Sequence, residues 1–141
     1  MYINYKCEKM SNVRNEKGFI TILIALALPL IISVMGFCLD GSLLLYYDAK
    51  LSMAAKFAAI TATSVNTNIE GNLVITADET FVMKILKSNM EGAMLVDYSI
   101  NPNQKNKCTV SASAEVPFIF MKIFGIESKT LVESYTAERN L

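Results

Sequence analysis

Apolar residues along this chain first run without a break, then recur every three to four positions, then alternate. The unbroken run covers residues 19–39, from Phe19 through Ala25-Leu26-Ala27-Leu28-Pro29 to Leu39, and carries no charge over about 21 positions. At 1.5 Å rise per residue, a helix of that length crosses a hydrocarbon layer of about 30 Å. The run therefore predicts a transmembrane helix. A buried helix in a soluble core is the competing reading, but core helices seldom run so long without a charge. Pro29 lies near the middle, where a membrane helix tolerates proline at the cost of a kink.

After Asp40-Gly41 the spacing becomes that of an amphipathic helix. Leu44, Tyr47, Leu51, Ala54, Ala58, Ala62 and Val65 form one stripe, with Asp48, Ser52, Lys56 and Thr63 mostly off it. The simplest prediction is one helix from Phe19 to about Val65, about 70 Å long. Ala54, Ala58 and Ala62 form a small-xxx-small ladder flanked by Ala55 and Ala59. Small residues at that spacing let a second backbone approach closely. The approaching backbone belongs either to another subunit's helix or to the protein's own sheet, and the sequence leaves both open.

The remaining pattern is mixed. Residues 66–72 read as a turn around Gly71. Thr76 and Glu79 have capping-box spacing, and Phe81, Val82, Ile85 and Leu86 give one face of a helix ending near Glu91-Gly92. From Ala93 the period drops to two. Met94, Val96, Tyr98 and Ile100 alternate with Leu95, Asp97 and Ser99; after a polar loop at 101–106, Cys108, Val110, Ala112, Ala114 and Val116 alternate with Thr109, Ser111, Ser113 and Glu115. These are two strands of a hairpin. Pro117 opens a short helix over 118–124, stopped by Gly125, and residues 126–137 read as a third strand. The cluster Phe118, Ile119, Phe120, Ile123 and Phe124 is expected to fill the core between sheet and long helix, with lipid or partner contact as the alternative. The fold class is α+β: a long N-terminal transmembrane helix continuing into an extracytoplasmic helix, packed on an antiparallel sheet of about three strands with short helices. The expected divisions are a basic leader at 1–18, the span at 19–39, the helical extension at 40–66 and a small domain at 67–141.

Charge adds orientation. Lys6, Lys9, Arg14 and Lys17 precede the span against only Glu8 and Glu16, and the first charge after it is Asp40. Basic flanks stay in the cytoplasm, so residues beyond the span are expected outside. Lys+Arg and Asp+Glu balance at 13 each, which gives nucleic-acid binding no electrostatic support. There is no histidine, and Cys7, Cys38 and Cys108 form no CxxC; no zinc site or disulfide framework is indicated. No nucleophile has a partner base, no phosphate loop is present, and no cofactor, metal or small-molecule substrate is implied. Asp40-Gly41-Ser42 lacks the second serine of a DxSxS metal loop and reads as the polar end of an anchor. Glu115 and Glu133 read as a solvated strand face.

Several segments together resemble the TadE/TadG-like Flp pilus-assembly proteins. They are Lys17-Gly18, Ala25-Leu26-Ala27-Leu28-Pro29, Asp40, Leu51-Ser-Met-Ala-Ala-Lys56-Phe-Ala-Ala59, and the tail from Val110 through Val116-Pro117-Phe118 to Gly125-Ile126. Lys56 stands where the family usually has Asp. Gly18-Phe19 has the outline of a prepilin cleavage site, yet Leu23 replaces the Glu expected five residues into a processed chain, so the leader is expected to be retained and the chain is closer to the TadG-like branch. Neither an ordinary cleavable signal nor a lipoprotein site at Cys38, preceded by the bulky Phe37, fits the run. The resemblance implies a non-enzymatic component of a Tad/Flp-type pilus or secretion machine in a bacterial cytoplasmic membrane. Its implied partners are the lipid bilayer and other machine subunits. The alternative is a membrane-tethered binding or sensory domain unrelated to pili.

Overall fold

The structure is a computed structural model that describes the backbone of residues 2–69, 72–101, 103 and 106–139, and the side chains of residues 18–66, 74–101, 103 and 106–139. The elements run α1 (Tyr2–Ser64), β1 (Asn66–Ile69), β2 (Asn72–Ile75), α2 (Glu79–Asn89), β3 (Met94–Ile100), β4 (Lys107–Pro117), a 3-10 turn (Met121–Phe124) and β5 (Ser128–Glu138). The fold class is α+β. Two compact units divide between Leu39 and Asp40, so residues 40–64 of α1 belong with the sheet.

In the first unit the helical backbone includes Pro29. The Ser33 hydroxyl donates to the Pro29 carbonyl at 2.8 Å, a local bond in the turn after the missing N–H. Among the described residues, one helix is long and apolar enough to cross a membrane, and only 6% of its most apolar window is buried. A core helix of a soluble domain would be mostly buried. The leader side chains that set the expected orientation, Lys6, Lys9, Arg14 and Lys17, lie outside the described side chains.

The second unit is built on an antiparallel meander in the order β3-β4-β5. Every residue of β4 pairs with β5, from Lys107 opposite Glu138 to Pro117 opposite Ser128. Alternation along β4 sends Cys108, Val110, Ala112, Ala114 and Val116 inward, as period two requires. The opposite face carries matched hydroxyls: Thr109 bonds Thr136 and Ser111 bonds Ser134, each at 2.8 Å. The core combines Cys108, Val110, Ala112 and Ala114 with Leu51 and the alanines of α1 and with Val82 and Leu86 of α2. The helix lies close to the sheet, because the Cys108 thiol reaches the Ala59 carbonyl oxygen at 3.5 Å. Burial pushes that thiol's pKa up.

Four local expectations are corrected. Residues 66–69 and 72–75 form a short antiparallel ribbon of β1 and β2, with Thr67 opposite Val74, where a turn over 66–72 was expected; Glu70 and Gly71 lie outside the described residues. The base of the ribbon is closed by the Thr76 N–H donating to the Val65 carbonyl at 2.9 Å. The cap of α2 is Asp78, not Thr76: its carboxylate accepts from the Phe81 N–H at 3.0 Å and the Thr80 hydroxyl at 2.7 Å. Thr76 lies two residues before the N-cap, and its hydroxyl donates to the Val65 carbonyl instead. In β3 the pairing shifts between Leu95 and Asp97. That bulge inserts one residue and inverts the alternation, so Leu95, Tyr98 and Ile100 pack on the core while Met94 and Val96 are exposed. The last strand starts at Ser128 instead of Ile126, after a single 3-10 turn.

Candidate functional site

The most specific arrangement in the second unit is centred on Asp40. Sequence alone makes it the polar end of an anchor; in the structure it is only 1% exposed. One carboxylate oxygen accepts from the N–H groups of Ile119 at 2.8 Å and Phe120 at 3.2 Å. The other accepts from Phe120 at 3.0 Å and Met121 at 2.6 Å. Three successive N–H groups at the start of a helical turn have no helical acceptors of their own. Asp40 satisfies all three from a position about eighty residues earlier. Burial raises the pKa of this carboxyl, but the three backbone donors outweigh it, and the net effect is a pKa below the ordinary 3.8. Asp40 is therefore ionised at neutral pH, and the charge is held by charge-assisted bonds.

The turn that Asp40 holds is closed locally. Phe118 N–H donates to the Glu127 carbonyl at 2.9 Å, and Ile126 N–H to Met121 at 3.2 Å. Gly125 adopts φ +83°, a left-handed conformation that favours glycine. The aromatic cluster does not fill the core as expected: Phe118 alone is buried, and Phe120 is half-buried. Ile119, Ile123, Phe124 and Ile126 are 66%, 76%, 62% and 43% exposed. Phe120 and Phe124 meet edge to face at 5.7 Å. The reason is geometric. A carboxylate that draws in three consecutive N–H groups fixes the backbone facing inward, and the flanking side chains then point away.

The part of α1 in this unit has two apolar faces. Ala54, Ala55, Ala58, Ala59 and Ala62 are all buried in the protein's own core. On the opposite side Leu45, Ala49, Met53, Phe57 and Ile60 are exposed, at steps of four, four, four and three. Two lysines beside this second stripe lie over aromatic rings. Lys50 lies over the Tyr46 ring at 5.7 Å and Lys56 over the Tyr135 ring at 5.8 Å. The sequence carries this second stripe as an i, i+4 spacing, less conspicuous than the alanine ladder on the other face.

Gly18 and Phe19, the candidate leader-cleavage position, are both exposed. Among the described residues no three His, Cys, Asp or Glu side chains converge as a metal site. Tyr98, half-buried, donates its hydroxyl to the Ala77 carbonyl at 3.0 Å; burial, with lesser repulsion from Cys108 and Asp78, pushes its pKa up to about 12. These groups form no constellation of nucleophile and base. Comparison with protein-family models, with curated proteins and with solved structures finds no significant match to this chain.

Proposed function

We propose that this chain is a non-enzymatic, single-pass membrane component of a Tad/Flp-type pilus-assembly or secretion machine, a minor pilin-like or scaffold subunit. In this reading residues 19–39 cross the bacterial cytoplasmic membrane, the leader stays in the cytoplasm, and residues 40–141 stand outside. The segments that resemble TadE/TadG-like proteins suggest the machine. The observation that carries the assembly role is the second apolar stripe of α1. One face of the helix is buried in its own domain, and Leu45, Met53, Phe57 and Ile60 remain exposed on the other. Residues at that spacing form a surface suited to a neighbouring helix.

A photo-crosslinking amino acid at position 57, in cells that produce the whole machine, tests this. The expected result is a crosslink to another membrane subunit, lost in a Met53→Lys background while protein abundance is unchanged. A protein that gives no crosslink from either position 57 or position 60, yet is normally inserted and stable, would refute assembly and favour a lone membrane-tethered binding domain. A reporter fused after Tyr135 tests the topology separately, and activity of a cytoplasmic reporter there would reverse the orientation.

A further inference from the structure

We infer that the turn over residues 118–127 is a second membrane contact of this protein, with Ile119, Ile123, Phe124 and Ile126 inserted at the outer headgroup boundary. The inference rests on the reading that residues 19–39 span the bilayer. It starts from a covalent fact: Asp40 directly follows Leu39, the last residue of the uncharged run, and adjacent Cα atoms are 3.8 Å apart. The carboxylate of Asp40 binds the backbone of Ile119, Phe120 and Met121. Whatever depth the outer end of the span occupies, the turn is held within one side chain's reach of it.

The chemistry of the turn matches that depth. Within eight residues it exposes three isoleucines and a phenylalanine; its charges are the exposed Lys122 and, at the end of the turn, the exposed Glu127. Apolar and aromatic side chains beside a lysine are what an interfacial segment carries, with the lysine stem lying along the apolar region and its ammonium reaching the headgroups. In water the same exposure would be costly. The opposite end of the sheet provides the contrast. There the loop between β3 and β4 is Asn101-Pro-Asn-Gln-Lys-Asn106, and the strands end on a Lys107–Glu138 ion pair at 3.0 Å. The meander thus has a polar loop at one end and, at the other, a turn with four large exposed apolar side chains among its charges, and that turn is the one tied to Asp40.

The chain has no tryptophan, so one introduced tryptophan reports its own surroundings. Full-length Ile123→Trp protein is reconstituted in phosphatidylethanolamine–phosphatidylglycerol vesicles containing lipids brominated either near the headgroup or near the chain end. Leu28→Trp, at mid-span, and Asn103→Trp, in the polar loop, are the references. The expected result for Ile123→Trp is a blue-shifted emission maximum and a loss of intensity that is larger with the shallow bromines. Leu28→Trp should be quenched by the deep bromines, and Asn103→Trp by neither. Phe124→Trp, an aromatic exchange at an exposed site, repeats the measurement if Ile123→Trp does not fold. An unquenched, red-shifted signal at both turn positions, with Leu28→Trp quenched, overturns the second contact and leaves the span intact. A blue-shifted but unquenched signal also overturns it, since a protein surface then covers the turn. If Leu28→Trp itself escapes quenching, the spanning reading fails and takes this inference with it.

Discussion

Replacing Ala58 with leucine tests how the alanine ladder is used. Ala58 is fully buried in a core where the sheet also contributes small residues, Ala112, Ala114 and Ala137, and the strand comes close enough for Cys108 to touch the carbonyl of Ala59. A leucine adds three carbon atoms to a site enclosed on both sides by alanines. Overpacking of this kind costs about 1–3 kcal/mol. Against a total stability of about 5–15 kcal/mol for a domain of this kind, the ratio of folded to unfolded protein should fall about 5- to 150-fold, since about 1.4 kcal/mol is a factor of ten. Each kcal/mol should lower the melting temperature by about 4–8 °C in a domain of 60–100 residues. The assay is protease resistance and abundance of the full chain in native membranes, with Phe57→Leu as the exposed control. That control should stay within about 0.5 kcal/mol of the parent. Ala58→Leu should lose protease resistance and abundance together. If it kept both while losing crosslinks from position 57, the ladder would be an inter-subunit contact and its place in the domain core would be refuted.

Two further outcomes follow from the titrating groups. The Asp40 pKa is lowered on folding, so its contribution is present above the ordinary 3.8 and is lost as pH falls through the folded value; Asp40→Asn should lower stability at neutral pH and shrink the acid limb of the stability curve, and an unchanged curve would mean that the clamp contributes nothing. The Tyr98 pKa is raised, so its contribution is complete below the ordinary 10 and is lost as pH rises towards about 12. Tyr98→Phe should cost about 0.5–1.5 kcal/mol at neutral pH through the missing bond to Ala77, and a denaturant titration repeated at rising pH should show its alkaline loss reduced.

Elements that announce themselves locally were legible in the sequence. The candidate span is visible because charge is absent from residues 19–39, and β4 because Cys108 to Val116 alternates without interruption. The bulge in β3 was not visible. Leu95 and Val96 are both apolar, and either phase of the alternation satisfies the pattern until pairing with β4 selects one. The β1–β2 ribbon was hidden by a short first strand, Asn-Thr-Asn-Ile, which has turn composition. The role of Asp40 was not legible for a different reason. Its partners are backbone N–H groups, which every residue except proline has, so no side chain marks them. The exposure of the turn is hidden for the same reason: a run such as Phe118 to Phe124 predicts burial unless something distant fixes its backbone the other way.

The Asp40 clamp also has a consequence for the order in which the molecule is made. A ribosome completes Asp40 while its three donors are still 79 to 81 residues away, so until they are made the carboxylate is left to water. Closing so long a loop is not itself prohibitive, because each doubling of length adds only about 0.6 kcal/mol. Burying the charge before β4 has delivered Ile119, Phe120 and Met121 is the costly alternative, since an unpaired anion resists leaving water. The carboxylate therefore stays hydrated until β4 and the turn after it have emerged. Closure of the clamp has to wait for the turn after β4 to be made. A truncated or misregistered product would keep a hydrated charge at position 40 and a loose apolar turn beside it, which is the kind of surface that quality-control proteases engage.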